Sequence, residues 1–152
     1  HAISQIELYN EQIADVEALY KQILDEMNTP ILSIPGMSYN QAAVIIGCIG
    51  NINRFEHSCQ LLAYAGLDPS VIQSGNFQAR SIRMSKRGSG MLRYSLVYSA
   101  HNVVKNNRTF RDYYELKRSQ GKSHYCALGH VAHKLVRIIF KMLKDNVEFN
   151  VD

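Results

Sequence analysis

A mostly α-helical fold, in which an N-terminal coiled-coil-like helix leads into a helical domain with a helix-hairpin-helix-like element and a basic loop or short hairpin, is predicted by three observations. Apolar residues recur three and four apart over the first 27 positions. Several later stretches repeat that spacing between residues suited to capping helices. Only residues 67–90 break the pattern, being polar and rich in Gly and Ser. With 152 residues, 46% of them apolar, the chain holds enough material for one core and needs no disulfides. We divide it into 1–29, the end of a coiled coil, and 30–152, a single helical domain.

The first element rests on Ile6, Tyr9, Ile13, Val16, Tyr20, Ile23 and Met27, a three-four alternation over three heptads with Glu7, Glu11, Asp15, Glu17 and Lys21 between them. This is a coiled-coil seam; the alternative is an amphipathic helix packed on its own domain. Asn28-Thr29-Pro30 ends it. Pro35-Gly36-Met37-Ser38 forms a tight turn into a helix over 39–49, with Ser38 and Gln41 spaced as a capping box. A further helix over about 55–64 stops at Gly66, which takes the left-handed conformation, and Pro69 follows. Beyond the polar stretch, in which 71–72 and 81–84 alternate weakly like a short hairpin, helices are predicted over 91–104, 108–118 and 123–144.

The net charge of +4 is the sum of two unlike parts. Residues 1–70 carry two basic and eight acidic residues, whereas residues 71–152 carry fifteen and five. A second half of net +10 points to an anionic surface such as nucleic acid. No apolar run reaches the roughly 18 residues of a membrane span, and no secretory leader opens the chain, so a soluble, cytoplasmic protein without membrane contact is expected. Cys48, Cys59 and Cys126 lie far apart and form no C-x-x-C pair, which fits reduced thiols.

Arg80, Arg83, Lys86, Arg87 and Arg93 fall within fourteen residues that contain no acid, a pattern suited to phosphate contacts. Phe77, Tyr94 and Tyr98 lie near enough to stack on bases, although Tyr94 and Tyr98, four apart on a helix, are expected to pack. The turn at Pro35, Gly36, Met37 and Ser38 resembles a helix-hairpin-helix, in which glycine permits close approach and helix N-terminal amides bind phosphate without reading bases. Ser38 replaces the usual second glycine. Ser70, Ser74, Ser81, Ser85 and Ser89 crowd the basic loop, and a serine becomes a nucleophile only beside an activating base, cation or metal. Spacing does not choose among the five. His124, Cys126, His130 and His133 invite a zinc test, but they sit on an otherwise amphipathic core helix among Lys134, Arg137 and Lys141; we expect structural histidines and no metal site.

Together, Ser33-Ile34-Pro35-Gly36, Phe55, Leu61, Ala63-Tyr64-Ala65-Gly66-Leu67 with Pro69, Ser74-Gly75, Ser85-Lys86-Arg87-Gly88, Leu92-Arg93 and Lys134-Leu135-Val136-Arg137-Ile138-Ile139 form an ordered set. Over about residues 31–146 it resembles the carboxy-terminal transposase domain of the DEDD insertion-sequence transposases and Piv-type DNA invertases, the IS-one-ten family. The resemblance implies a two-part enzyme: an amino-terminal RNase-H-like domain holding Mg²⁺ with four acidic residues, a dimerising coiled coil, and this domain supplying a serine. Some members are guided by a structured bridge RNA. By alignment of the flanking motifs the family's nucleophile falls on Ser74, followed by Gly75, and is thought to form a phosphoserine link that preserves bond energy for rejoining.

On this resemblance the chain, which opens His1-Ala2 rather than with Met, is a fragment with no cofactor of its own. It is expected to bind DNA, with a structured guide RNA as a further candidate partner, to form a homodimer or higher oligomer through the coiled coil, and not to recombine DNA unaided. Two rivals remain: a non-catalytic helix-hairpin-helix module of a repair or recombination factor, and a helical protein-interaction domain with an incidental basic face.

Overall fold

The computed structural model describes residues 1–69, 73–74, 77–78 and 84–150. Helix α1 (Ala2–Met27) ends on Asn28 in the left-handed conformation, and a 3-10 turn (Pro30–Ser33) leads to α2 (Tyr39–Ile49). A second 3-10 turn (Ile52–Arg54) precedes α3 (Ser58–Ala65). Strands β1 (Gln73–Ser74) and β2 (Phe77–Gln78) form an antiparallel pair, and α4 (Gly90–Asn106), α5 (Arg108–Ser119) and α6 (His124–Asp145) complete the fold.

Helix α6 lies at the centre, against α3, α4, α5 and both 3-10 turns. Its Val131, Leu135, Ile139 and Met142 are buried at the amphipathic spacing read from the sequence, while Val136 is buried beside them and Ile138, also read as core-facing, is half-buried. Helix α4 packs between α6 and α2, and the core continues through Ile31, Ile45, Leu61, Leu92, Leu96 and Phe110. Asn107 serves two helices, closing α4 and capping α5 by accepting from the Phe110 amide at 3.2 Å. Ser89 and Ser123 cap α4 and α6 in the same way, from Leu92 N at 3.2 Å and Cys126 N at 3.3 Å. Downstream of α6, the Phe149 amide donates to Ser33 Oγ at 2.8 Å, tying the tail to the first 3-10 turn.

The heptad seam of α1 is open. Ile6, Tyr9, Ile13 and Val16 are 55–60% exposed, and on this helix only Leu24 is buried. The C-terminal turns alone dock on α2, where Tyr39 Oη donates to Asp25 Oδ1 at 2.7 Å and Lys21 lies over the Tyr39 ring. Packing on its own domain therefore does not account for the first four turns.

One boundary differs from expectation. Helix α3 begins at Ser58, three residues late, because the Asn51 side chain accepts from Asn53 N at 2.9 Å to cap a 3-10 turn, and Phe55 runs extended to bury its ring. At α2 the Ser38 half of the capping box is present, with its Oγ accepting from Gln41 N at 3.3 Å.

Candidate nucleic-acid interface

The polar stretch is anchored at its base by the end of α3. Gly66 sits at φ +67, and two backbone bonds close the helix: Gly66 N to Ala63 O at 2.9 Å and Leu67 N to Leu62 O at 3.0 Å. This is the glycine-dependent stop expected from the sequence. Residues 84–89 then return antiparallel to 64–69. Ser89 N donates to Tyr64 O at 2.7 Å, Lys86 N to Gly66 O at 3.1 Å and Ser85 N to Asp68 O at 2.8 Å, and a bridge pairs Pro69 with Met84. The Ser85 hydroxyl also donates to the Asp68 carboxylate. Gly88 makes the crossing possible, since a Cβ there would lie 2.6 Å from Gly66 N and closer still to the Tyr64 carbonyl oxygen. The excursion between Pro69 and Met84 thus stands on a rigid neck.

Ser74 lies in β1 opposite Phe77, with Gln73 opposite Gln78. Of the weakly alternating segments from which a short hairpin is expected, 71–72 and 81–83 lie outside the described residues; the pairing seen is between 73–74 and 77–78. Gly75, Arg80 and Arg83 lie outside the described residues, as do Ser70 and Ser81.

The remaining cations of the stretch have separate placements. Lys86 and Arg87 are exposed on the returning arm of the neck, and Lys86 is held at φ 54, a left-handed conformation uncommon for a residue with a side chain. Arg93 is half-buried beneath the crossing, where Nη1 donates to Ala65 O at 3.2 Å and satisfies a carbonyl at the C-terminus of α3. A cation there also complements the α3 macrodipole. Sequence reasoning passed over Arg54, which is exposed and lies over the rings of Phe55 at 4.6 Å and Tyr64 at 4.4 Å. Its signal was its isolation as one of two cations among the first 70 residues.

The 35–38 turn is elsewhere. Gly36 faces α4 so closely that a Cβ would meet the Asn102 carbonyl oxygen at 2.7 Å, and the Met37 amide donates to Ile34 O at 3.0 Å. The helix before the turn is a single 3-10 turn, shorter than the full helix of a helix-hairpin-helix. Asn102 and Ser89 are thirteen residues apart on α4, so the turn and the neck are separated by about 20 Å along the helix axis.

His133 on α6 is half-buried beside the neck. Burial pushes its pKa below the ordinary histidine range against an opposing hydrogen bond to the Leu67 backbone; Arg137 pushes it further down and Asp68 upward. His130 is lowered first by burial, then by Lys117, His133 and Lys122. Among the described residues no group of three or more His, Cys, Asp or Glu side chains is placed to hold a metal ion. No helix among them is long and apolar enough to cross a membrane.

These features define a class: a helical domain that raises a serine-bearing hairpin from a cation-lined neck and carries an open heptad seam. Residues 28–115, more than half of the chain, match the family model described as Transposase IS116/IS110/IS902 family, and the chain belongs to that family. It is 33% identical over 141 residues to the transposase for insertion sequence element IS1111A of Coxiella burnetii, covering 88% of this chain and 38% of that protein. It is 28% identical over 144 residues to the insertion element IS110 uncharacterized 43.6 kDa protein of Streptomyces coelicolor, covering 93% and 35%. To the insertion element IS116 uncharacterized 44.8 kDa protein of Streptomyces clavuligerus it is 27% identical over 143 residues, covering 93% and 36%. The chain spans little more than a third of the length of these relatives.

Proposed function

We propose that this chain is the DNA-binding, serine-contributing part of a transposase that cleaves and rejoins DNA strands during transposition. Family membership supports the transposase role. The observation that carries the finer reading is the neck, whose three backbone bonds and Pro69–Met84 bridge fix the base of the excursion that contains Ser74.

In this reading Ser74 Oγ forms a bond to phosphorus as the ester bond to the leaving strand breaks. The proton lost from the hydroxyl is balanced by the one gained on the leaving oxygen. One phosphate ester replaces another, so the reverse attack by a strand end reseals the DNA without an energy source. Lys86 and Arg87, with Arg80, Arg83 and Arg93, neutralise phosphates around the serine, and the first-turn amides of α2 after the 35–38 turn, rather than the Gly36 face packed on Asn102, supply a more distant phosphate contact. Arg93 would contribute through N–H groups other than the one held by Ala65.

The open seam of α1 pairs with a second copy, giving a homodimer or higher oligomer. Among the described residues no cluster of three or more acids is placed to hold Mg²⁺. The Mg²⁺ and the RNase-H-like carboxylates that accompany this domain in the family resemblance belong to the remainder of a full-length protein, and a structured guide RNA is a further partner.

A salt titration of duplex DNA binding tests the interface. The double change Lys86→Ala/Arg87→Ala should weaken binding across sequences and lower the slope of log affinity against log salt by about 1.8, roughly 0.9 per phosphate contact. An unchanged slope would remove both residues from the interface.

A further inference from the structure

Tyr94 and Tyr98, expected to pack, instead stand out from α4 at 69% and 46% exposure, their rings stacked on each other at a centroid distance of 6.0 Å and 29°. The stripe continues at helical spacing to His101, whose ring meets His124 edge-on at 6.2 Å. His124 in turn contacts the ring of Tyr125, which is 78% exposed, at 5.1 Å. A ring track therefore runs along the outside of α4 and crosses to the start of α6.

Cations predominate around it, the acids of the adjoining α5 being Asp112, which pairs with Arg108, and Glu115. Lys86 and Arg87 precede α4, exposed Lys105 lies in its last turn, exposed Lys122 lies just before α6, and no acid occurs in residues 85–111 or 116–144. Pairing this face with a second copy of itself would bring those four cations together with only the α5 acids at one end to answer them. An anion bearing flat faces suits it better. Aromatic side chains that carry successive bases, beside cations that follow a backbone, are the general design of single-strand binding surfaces, whereas a duplex offers such rings no open base face.

We infer that the Tyr94–Tyr98–His101 ridge is a stacking platform for unpaired nucleotides, separate from the neck and its serine hairpin. The inference rests on the nucleic-acid reading above and specifies its ligand: a strand with free bases on a phosphate backbone, either single-stranded DNA or an unpaired stretch of RNA. Exposed rings also explain why substitution should leave the fold intact, since the core-facing residues of α4 are Leu92, Leu96, Ala100 and Val103.

The test uses fluorescence anisotropy with labelled oligothymidylate, oligouridylate and duplex DNA of about twenty nucleotides or base pairs. Because the chain has nine tyrosines and no tryptophan, quenching of tyrosine emission is a second readout. Tyr94→Ala/Tyr98→Ala should weaken single-strand binding at least about tenfold, while duplex binding changes less than about threefold and the salt slope stays constant. Tyr94→Phe/Tyr98→Phe should retain single-strand affinity, because stacking needs the ring and not the hydroxyl. The relative affinities for oligothymidylate and oligouridylate identify the strand. Equal losses on single strand and duplex, or no loss on either, would overturn the inference while leaving the nucleic-acid reading standing. So would a change of oligomeric state in the alanine variant, which would mark a protein-docking face. Wild-type protein that binds none of the three probes would overturn the nucleic-acid reading itself, and this inference with it.

Discussion

Ser89 N and Tyr64 O are joined by a 2.7 Å hydrogen bond that brings the N-cap of α4 against the last turn of α3, and the intervening Gly88 leaves no room for a side chain. One residue beside this bond thus controls whether the two ends of the serine-bearing excursion can meet.

Gly88→Ala should therefore separate 84–89 from 64–69. Inserted atoms that force backbone shifts cost about 1–3 kcal/mol, and for a chain of this size that lowers Tm by about 3–10 °C. Thermal unfolding followed by circular dichroism checks the value. An unchanged Tm would show that the crossing is looser than the backbone bonds imply.

Lys86 gives stability and binding opposite signs. Glycine removes the penalty of its left-handed φ of 54 and should raise stability by up to about 1 kcal/mol, offset in part by greater freedom of the unfolded chain. In the proposed interface the same change removes a phosphate contact, so Lys86→Gly should melt at or above the wild-type temperature yet bind duplex DNA with a salt slope lower by about 0.9. Loss of stability would contradict the backbone argument, and an unchanged slope would contradict the contact.

The seam of α1 predicts self-association. Because Ile13 and Val16 are exposed, Ile13→Asp/Val16→Asp should leave the unfolding free energy of the domain within about 0.5 kcal/mol while converting a dimeric or larger species to monomer. Light scattering on the eluting protein measures this. A wild-type chain that is already monomeric at tens of micromolar, the regime of about 5 × 10⁻⁵ M in affinity, would refute pairing through this face.

Acidification should loosen the region beside the neck. Since burial holds the pKa of His133 below 6.5, the unfolded chain takes up that proton first as pH falls, and stability declines from about pH 7 downward until the folded pKa is reached. The groups acting on it are Leu67, Arg137 and Asp68, and His130 contributes in the same direction. Urea midpoints measured between about pH 7.5 and 5.5 should fall, and His133→Gln should flatten the decline. An identical pH dependence in the variant would assign the effect elsewhere.

The helices were largely legible in the sequence because their signals are local. Gly66 stops α3, Asn28 and Asn146 close α1 and α6 with positive φ, and the three later helices begin within a residue of their predicted starts. What could not be read locally depends on neighbours distant in the chain. Arg93 looks like one more phosphate ligand in a basic run until α3 places the Ala65 carbonyl against it, 28 residues away. Tyr94 and Tyr98 have core-like spacing, but α6 and α2 cover the Leu92–Leu96 side of α4 and leave the rings outside. The glycine of the 35–38 turn has the composition of a phosphate contact, yet its open side faces Asn102. Arg54 drew no notice because its two aromatic partners are assembled only when α3 folds back.

The central claim is that Ser74 carries the strand through a covalent phosphoserine. The most direct measurement is peptide mass spectrometry of a full-length transposase containing this domain, quenched during reaction with its DNA element and digested with nuclease and protease. The account predicts a nucleotide remnant on the peptide bearing Ser74, its absence in Ser74→Ala, and a loss of recombination of at least about 10³-fold in that variant with DNA binding retained. A Ser74→Ala protein that recombines at the wild-type rate, or a remnant mapped to another residue, would contradict it.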